Sequence, residues 1–170
     1  PVEDPSDLQT LSQKILASIY EGNSQADFYE IVFQGKDGKG VSASSLLDAR
    51  RARVIESDLL KKSFEPDFTA FVAKDDKGLW LGLVLRLKPG ETQLLTQDGV
   101  RSEIEGSPEA SNLFLFSPGV LSGERFRDAA IAGKPVRILG FTSPGAELAY
   151  SWCNGTTLVV TTSEAALTKA

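Results

Sequence analysis

Apolar residues recur at helical spacing near the start of the chain, at Leu8, Leu11, Ile15 and Ile19, with Leu16 beside them. Ser6 with Gln9 three residues on forms a capping box, and Gly22 supplies a stop, which predicts a helix over about 7–21. Phe28 to Phe33 is aromatic and β-branched and reads as a strand, followed by the turn signal Gly35 to Gly40. Val41 and Ser42, Ser44 and Ser45 lead into a short helix at Leu46 and Leu47. Ser57 caps a second short helix through Leu59, Leu60 and Phe64. Phe68–Ala73 and Leu79–Leu87 read as strands around a turn at Lys74–Gly78. The second of them carries apolar residues at both parities, the mark of a central strand covered at least in part on both faces.

Beyond Pro89 the pattern weakens. Leu94, Leu95, Val100 and Ile104 lie scattered in a polar stretch that predicts a helix interrupted at Asp98-Gly99. Leu113–Phe116 reads as a short strand, Phe126–Ile131 as an edge element and Val136–Phe141 as a strand. The segment from Glu147 to Ala170 is the clearest: strand, Asn154-Gly155, strand, helix. Both residues of an Asn-Gly pair take positive φ readily, so this is a strong hairpin signal. Hairpin-then-helix recurs at 28–47, 68–96 and 147–169, with Trp80 and Trp152 in the last two. A degenerate repeat and the frequency of such units in α+β domains both account for it, and the unequal period argues against a solenoid.

These elements predict one α+β domain over residues 1–170. Its expected core is a mostly antiparallel sheet of about six strands with helices packed on one face. Residues 1–5 read as a linker remnant. The absence of Met, the start at Pro1 and the end inside a helix lead us to expect a piece excised from a longer protein.

Composition narrows the chemistry. With 18 Lys and Arg against 23 Asp and Glu the net charge is −5, which argues against a nucleic-acid surface. The chain has no His and one Cys. Zinc sites of Cys/His type, Ser-His-Asp and Cys-His nucleophile systems and an internal disulfide are therefore excluded within it. No apolar run reaches the ~20 residues of a membrane helix.

The motifs are weak. Gly35 to Ser42 has the glycine and hydroxyl spacing of a phosphate-binding loop, but Val41 stands where the lysine belongs. Gly38, Gly40 and Ala43 give a loose dinucleotide pattern without the long helix it needs. A hairpin loop explains both. Asp37, Asp75 and Asp76 sit in turns, where Asp usually bonds its own backbone and where no EF-hand spacing is present. Glu103 and Glu105 read as a solvated face rather than a hydrolase pair, Cys153 as an inert thiol, and Asn154-Gly155-Thr156 as a turn rather than a glycan acceptor. No catalytic, metal or cofactor-binding residue is assigned, and no cofactor is expected. Arg50, Arg51 and Arg53, with Lys61 and Lys62 nearby, are the candidate partner-binding residues, with a solvated helix face as the alternative.

The C-terminal residues carry a resemblance. Arg137-Ile138-Leu139, Leu148 to Trp152, Leu158 to Ser163 and the helix from Glu164 to Leu167 form its pattern. Upstream, Asp67 to Val72 and Leu81 to Leu85 fit it too. Over about 100 residues the chain resembles the outer domain of uncharacterised bacterial single-pass membrane-anchored proteins. The resemblance implies a non-enzymatic, extracytoplasmic module behind a linker and a transmembrane helix. It transfers no functional residue. The function expected is thus an interaction or scaffolding module with a protein partner, tethered at the cell membrane. The alternatives are a carboxylate- or Ser/Lys-based enzyme and a regulatory domain that senses a small ligand.

Overall fold

The computed structural model describes residues 8–21, 26–35 and 38–170. The capping box at Ser6, the stop at Gly22, the linker at 1–5 and Asp37 lie outside them. The fold is α+β, built on one antiparallel sheet of seven strands. In chain order the elements are α1 (Leu8–Glu21), β1 (Phe28–Ile31), α2 (Ala43–Ala49), α3 (Ser57–Ser63), β2 (Phe64–Lys74), β3 (Leu79–Leu87) and α4 (Gln93–Gly106). A 3₁₀ turn (Ala110–Leu113) follows, then β4 (Arg127–Ile131), β5 (Lys134–Gly140), β6 (Glu147–Cys153), β7 (Thr157–Thr161) and α5 (Glu164–Lys169).

The strand order is β1-β2-β3-β7-β6-β5-β4. The chain lays down β1 to β3, crosses through α4 to the far edge, and returns by the meander β4 to β7 until β7 closes against β3. That closure explains the doubly apolar pattern of β3. Leu81, Leu83, Leu85 and Leu87 are buried at one parity, while Trp80 and Gly82 are buried at the other. Gly82 lies directly opposite Phe71 on β2, whose ring fills the space a side chain at 82 would need. Phe28 of edge strand β1 stacks on that ring with centroids 4.7 Å apart.

The helices occupy both faces of the sheet, which corrects the expectation of one covered face. Glu105 of α4 meets Arg137 and Tyr150, while Leu167 of α5 packs against Val136, Ile138 and Ala149, the alternate residues of the same strands. Side chains alternate across a strand, so the two helices lie on opposite sides. The sheet also exceeds the expected strand number. The edge element at Phe126–Ile131 is a full strand, β4, joined to β5 through Ala132-Gly133. Leu113–Phe116 forms no strand, because Leu113 closes the 3₁₀ turn and the residues after it bend. Helix α4 runs unbroken through Asp98-Gly99, since Thr96, Val100 and Ile104 bury one continuous face. Ser57 is the first residue of α3 rather than its cap, and its hydroxyl donates to Asp48. Phe64 opens β2 instead of closing that helix.

Candidate functional site

Arg50, Arg51 and Arg53 do not share a surface. Arg50 is only 3% exposed. Its Nη2 donates to Phe114 O at 2.6 Å, its Nε to Asn112 O at 3.1 Å and its Nη1 to Ser12 Oγ at 3.2 Å. Burial pushes its pKa down to about 10. Arg51 and Arg53 are exposed. Arg53 lies 3.7 Å from Asp48, and the carbonyl of Arg51 accepts from Asn112 Nδ2. A run of arginines in sequence therefore becomes one internal tie and two solvent-facing side chains.

The carboxylates considered for chemistry are occupied by the fold. Glu103 Oε2 accepts from the backbone N–H of Glu56 at 2.8 Å. Glu105 receives both arms of Arg137 at 2.7 and 2.8 Å, the Tyr150 hydroxyl at 2.7 Å and Arg101 at 3.2 Å. Partial burial opposes ionisation of Glu105, yet the donors from Arg137 and Tyr150 outweigh it and hold the carboxyl below its ordinary pKa. Arg137 is held above its own, mainly by its hydrogen bonds to Glu105. Asp75 Oδ1 accepts from the N–H groups of Lys77 and Gly78 and from Trp80 Nε1, each at 2.9 Å, which is the backbone-bonding role expected of a turn aspartate. Among the described residues, no group of three or more His, Cys, Asp or Glu is arranged to hold a metal ion.

The hydroxyls and one of the two lysines beside them are likewise committed. A cavity of about 230 Å³ brings Ser42 and Ser44 near Lys61 and Lys88. Ser42 caps α2 through Ser45 N, and the Lys88 ammonium donates to Lys61 O at 2.6 Å. The glycine segment folds back on itself, with Gly35 N donating to Lys39 O, as a loop should. Cys153 is half-buried with Lys134 Nζ 4.0 Å from its sulfur, and Asn154 takes φ 53° in the β6–β7 turn.

Among the described residues the exposed large apolar side chains include Val32 and, on α4, Leu94 and Leu95, but the two that line one cavity together lie at the end of the sheet that carries the β2–β3 turn. Tyr20, at the end of α1, and Phe116 are 71% and 57% exposed and line one open cavity of about 290 Å³ with Ile19 and Leu79. Val120 and Leu121, in the loop that continues from Phe116, are 71% and 53% exposed. Asp75 and Lys77 wall this cavity and also a larger polar groove of about 530 Å³ that runs toward α5 past Thr142 and Glu164.

The loop that presents these side chains is braced. Arg50 grips Phe114 O, and the Phe114 ring meets Phe141 edge-on at 4.9 Å. Ser143 N donates to Pro118 O at 3.0 Å, Thr142 N to Val120 O at 2.9 Å and Ser122 N to Gly140 O at 3.0 Å, while Val120 N donates to Thr142 Oγ1 at 3.1 Å. Gly119 turns the chain at φ +80°, and a Cβ there would collide with the Thr142 hydroxyl. Sequence reasoning passed over this loop because Ser117-Pro118-Gly119 breaks any period. The available signal was the apolar set around that turn, Phe116, Val120 and Leu121. No family model, curated protein or solved structure matches the chain.

Proposed function

We propose that this chain is a non-catalytic interaction or scaffolding module that engages a protein partner through the apolar end formed by Tyr20, Phe116, Val120 and Leu121. The observation that carries the reading is the bracing of the 114–122 loop. Exposed apolar side chains on a mobile loop would lose much of their binding free energy to ordering. On a loop already fixed by backbone hydrogen bonds that cost is largely met in the free protein. Tyr20 and Phe116 line one cavity, and such a shared apolar lining is what distinguishes a contact surface from scattered surface leucines. The commitment of Glu103, Glu105, Asp75 and Lys88 to backbone and side-chain partners speaks against the carboxylate and Ser/Lys alternatives.

The placement we propose is the extracytoplasmic side of a bacterial cell membrane, and it rests on the resemblance of the C-terminal strands and helix. Among the described residues no helix is long and apolar enough to cross a membrane. On that placement the protein should be cut by protease added to intact spheroplasts, and full protection there would remove the placement. The contact surface is tested by replacing Phe116 with a benzophenone amino acid in cells. Irradiation should give a discrete adduct that Tyr20→Ser weakens, whereas the same group at the exposed Ser102 should give none. Unmodified chain from both positions would overturn the reading.

A further inference from the structure

We infer that the partner at the apolar end is a second copy of this chain, in a two-fold dimer; this rests on the interaction reading above. Two observations favour self-association. The first is charge. The turn beside the cavity reads Lys74-Asp75-Asp76-Lys77, and Asp76 and Lys77 stand exposed at its tip. In a two-fold interface each patch meets itself in reverse. A patch of one sign would repel its copy, but a tip with one acid and one base places Asp76 of each copy against Lys77 of the other. The second is area. Tyr20, Phe116, Val120 and Leu121 are each more than half exposed. Together they hold roughly 400–500 Å² per copy, so two copies would bury at most about 800–1,000 Å² before any rim is counted, below a stable interface and in the range of a weak, transient one. The braced loop lowers the ordering cost of the part of that area it carries, at Phe116, Val120 and Leu121.

The expected dimer is weak. Sedimentation velocity of the purified chain from about 5 μM to about 1 mM should show a reversible monomer–dimer equilibrium, as an interface of this size predicts. Phe116→Ser should raise the dissociation constant at least about tenfold, as loss of a central aromatic anchor does. Asp76→Lys alone and Lys77→Asp alone should each weaken the dimer, because each leaves both tips with one sign. The double exchange Asp76→Lys with Lys77→Asp should restore it, a rescue that a merely structural effect would not give. These tip residues are exposed, so the charge variants test the interface even where Phe116→Ser disturbs folding. A monomer throughout, or a dimer indifferent to the tip exchanges, overturns the inference. If the purified chain is monomeric while the adduct at position 116 contains another protein, the second-copy inference fails and the interaction reading stands. If neither dimer nor adduct forms, both fail.

Discussion

Glu105 shows how a single residue ties charge to stability. Its carboxylate accepts from Arg137, Tyr150 and Arg101, and Arg137 also holds Asp128 at 2.8 Å and reaches Phe126 O. Because the folded-state pKa lies below that of the unfolded chain, the stabilisation is complete above the ordinary glutamate pKa of about 4.3. It is lost as pH falls through the depressed folded value, since the unfolded chain then binds the proton first. Glu105→Gln should lower stability near neutral pH by about 1.5–3 kcal/mol, the range for charge-assisted hydrogen bonds. In urea titrations the parent should lose more stability than the variant between about pH 5 and pH 3, and parallel losses would disprove the linkage. Gly82 acts through volume instead. A methyl there meets the Phe71 ring, itself held under Phe28 in a packed strand centre. Gly82→Ala should cost about 1–3 kcal/mol, the usual range for overpacking, read as a lower urea midpoint.

At the scale of elements, legibility followed local chemistry. The β6–β7 hairpin was readable because Asn154 and Gly155 announce the two positive φ values the turn uses, 53° and 72°. The β4–β5 hairpin uses almost the same geometry, at Ala132 (φ 50°) and Gly133 (φ 77°), but alanine gives no such signal, so β4 was visible only as an edge element. An L-residue with a Cβ is strained at positive φ. Ala132→Asn should therefore raise stability by roughly 0.5–1 kcal/mol, while replacing both Asn154 and Gly155 by Ala should lower it by about 1–3 kcal/mol. Opposite shifts in melting temperature would check both turns at once. The helices were harder to place. Periodicity marks the buried face of α4 but says nothing of which side of the sheet receives it, a choice made by long-range pairing. Antiparallel neighbours such as β3 and β7 are related by an axis through the sheet, which keeps each face on its own side. A true repeat of hairpin and helix would then put α4 and α5 together. They lie on opposite faces, which favours two ordinary hairpin–helix units.

For the whole molecule, the residue that best links sequence, fold and site is Arg50, and sequence reasoning misplaced it. Charge is visible in a sequence, whereas burial depends on what returns to cover a residue 62 and 64 positions away. Arg50 closes α2, reaches Ser12 of α1 and takes the carbonyls of Asn112 and Phe114. It thereby joins the helix that carries Tyr20 to the loop that carries Phe116, and so sets the two halves of the apolar end against each other. Arg50→Met keeps the aliphatic bulk but leaves both carbonyls unpartnered, each at about 1–3 kcal/mol of desolvation. The two together predict a loss of about 2–6 kcal/mol, toward the low end because the Asn112 carbonyl is only part-buried. Its hydrogen exchange should quicken between residues 112 and 122 well before it quickens in β3 or β7, which sit at the centre of the sheet. If Arg50 positions the contact surface, benzophenone adducts at position 116 should also fall in yield under conditions where the variant is still folded. Uniformly faster exchange, or slower opening of the loop than of the central strands, would show that Arg50 supports the core as a whole and not the presentation of Phe116.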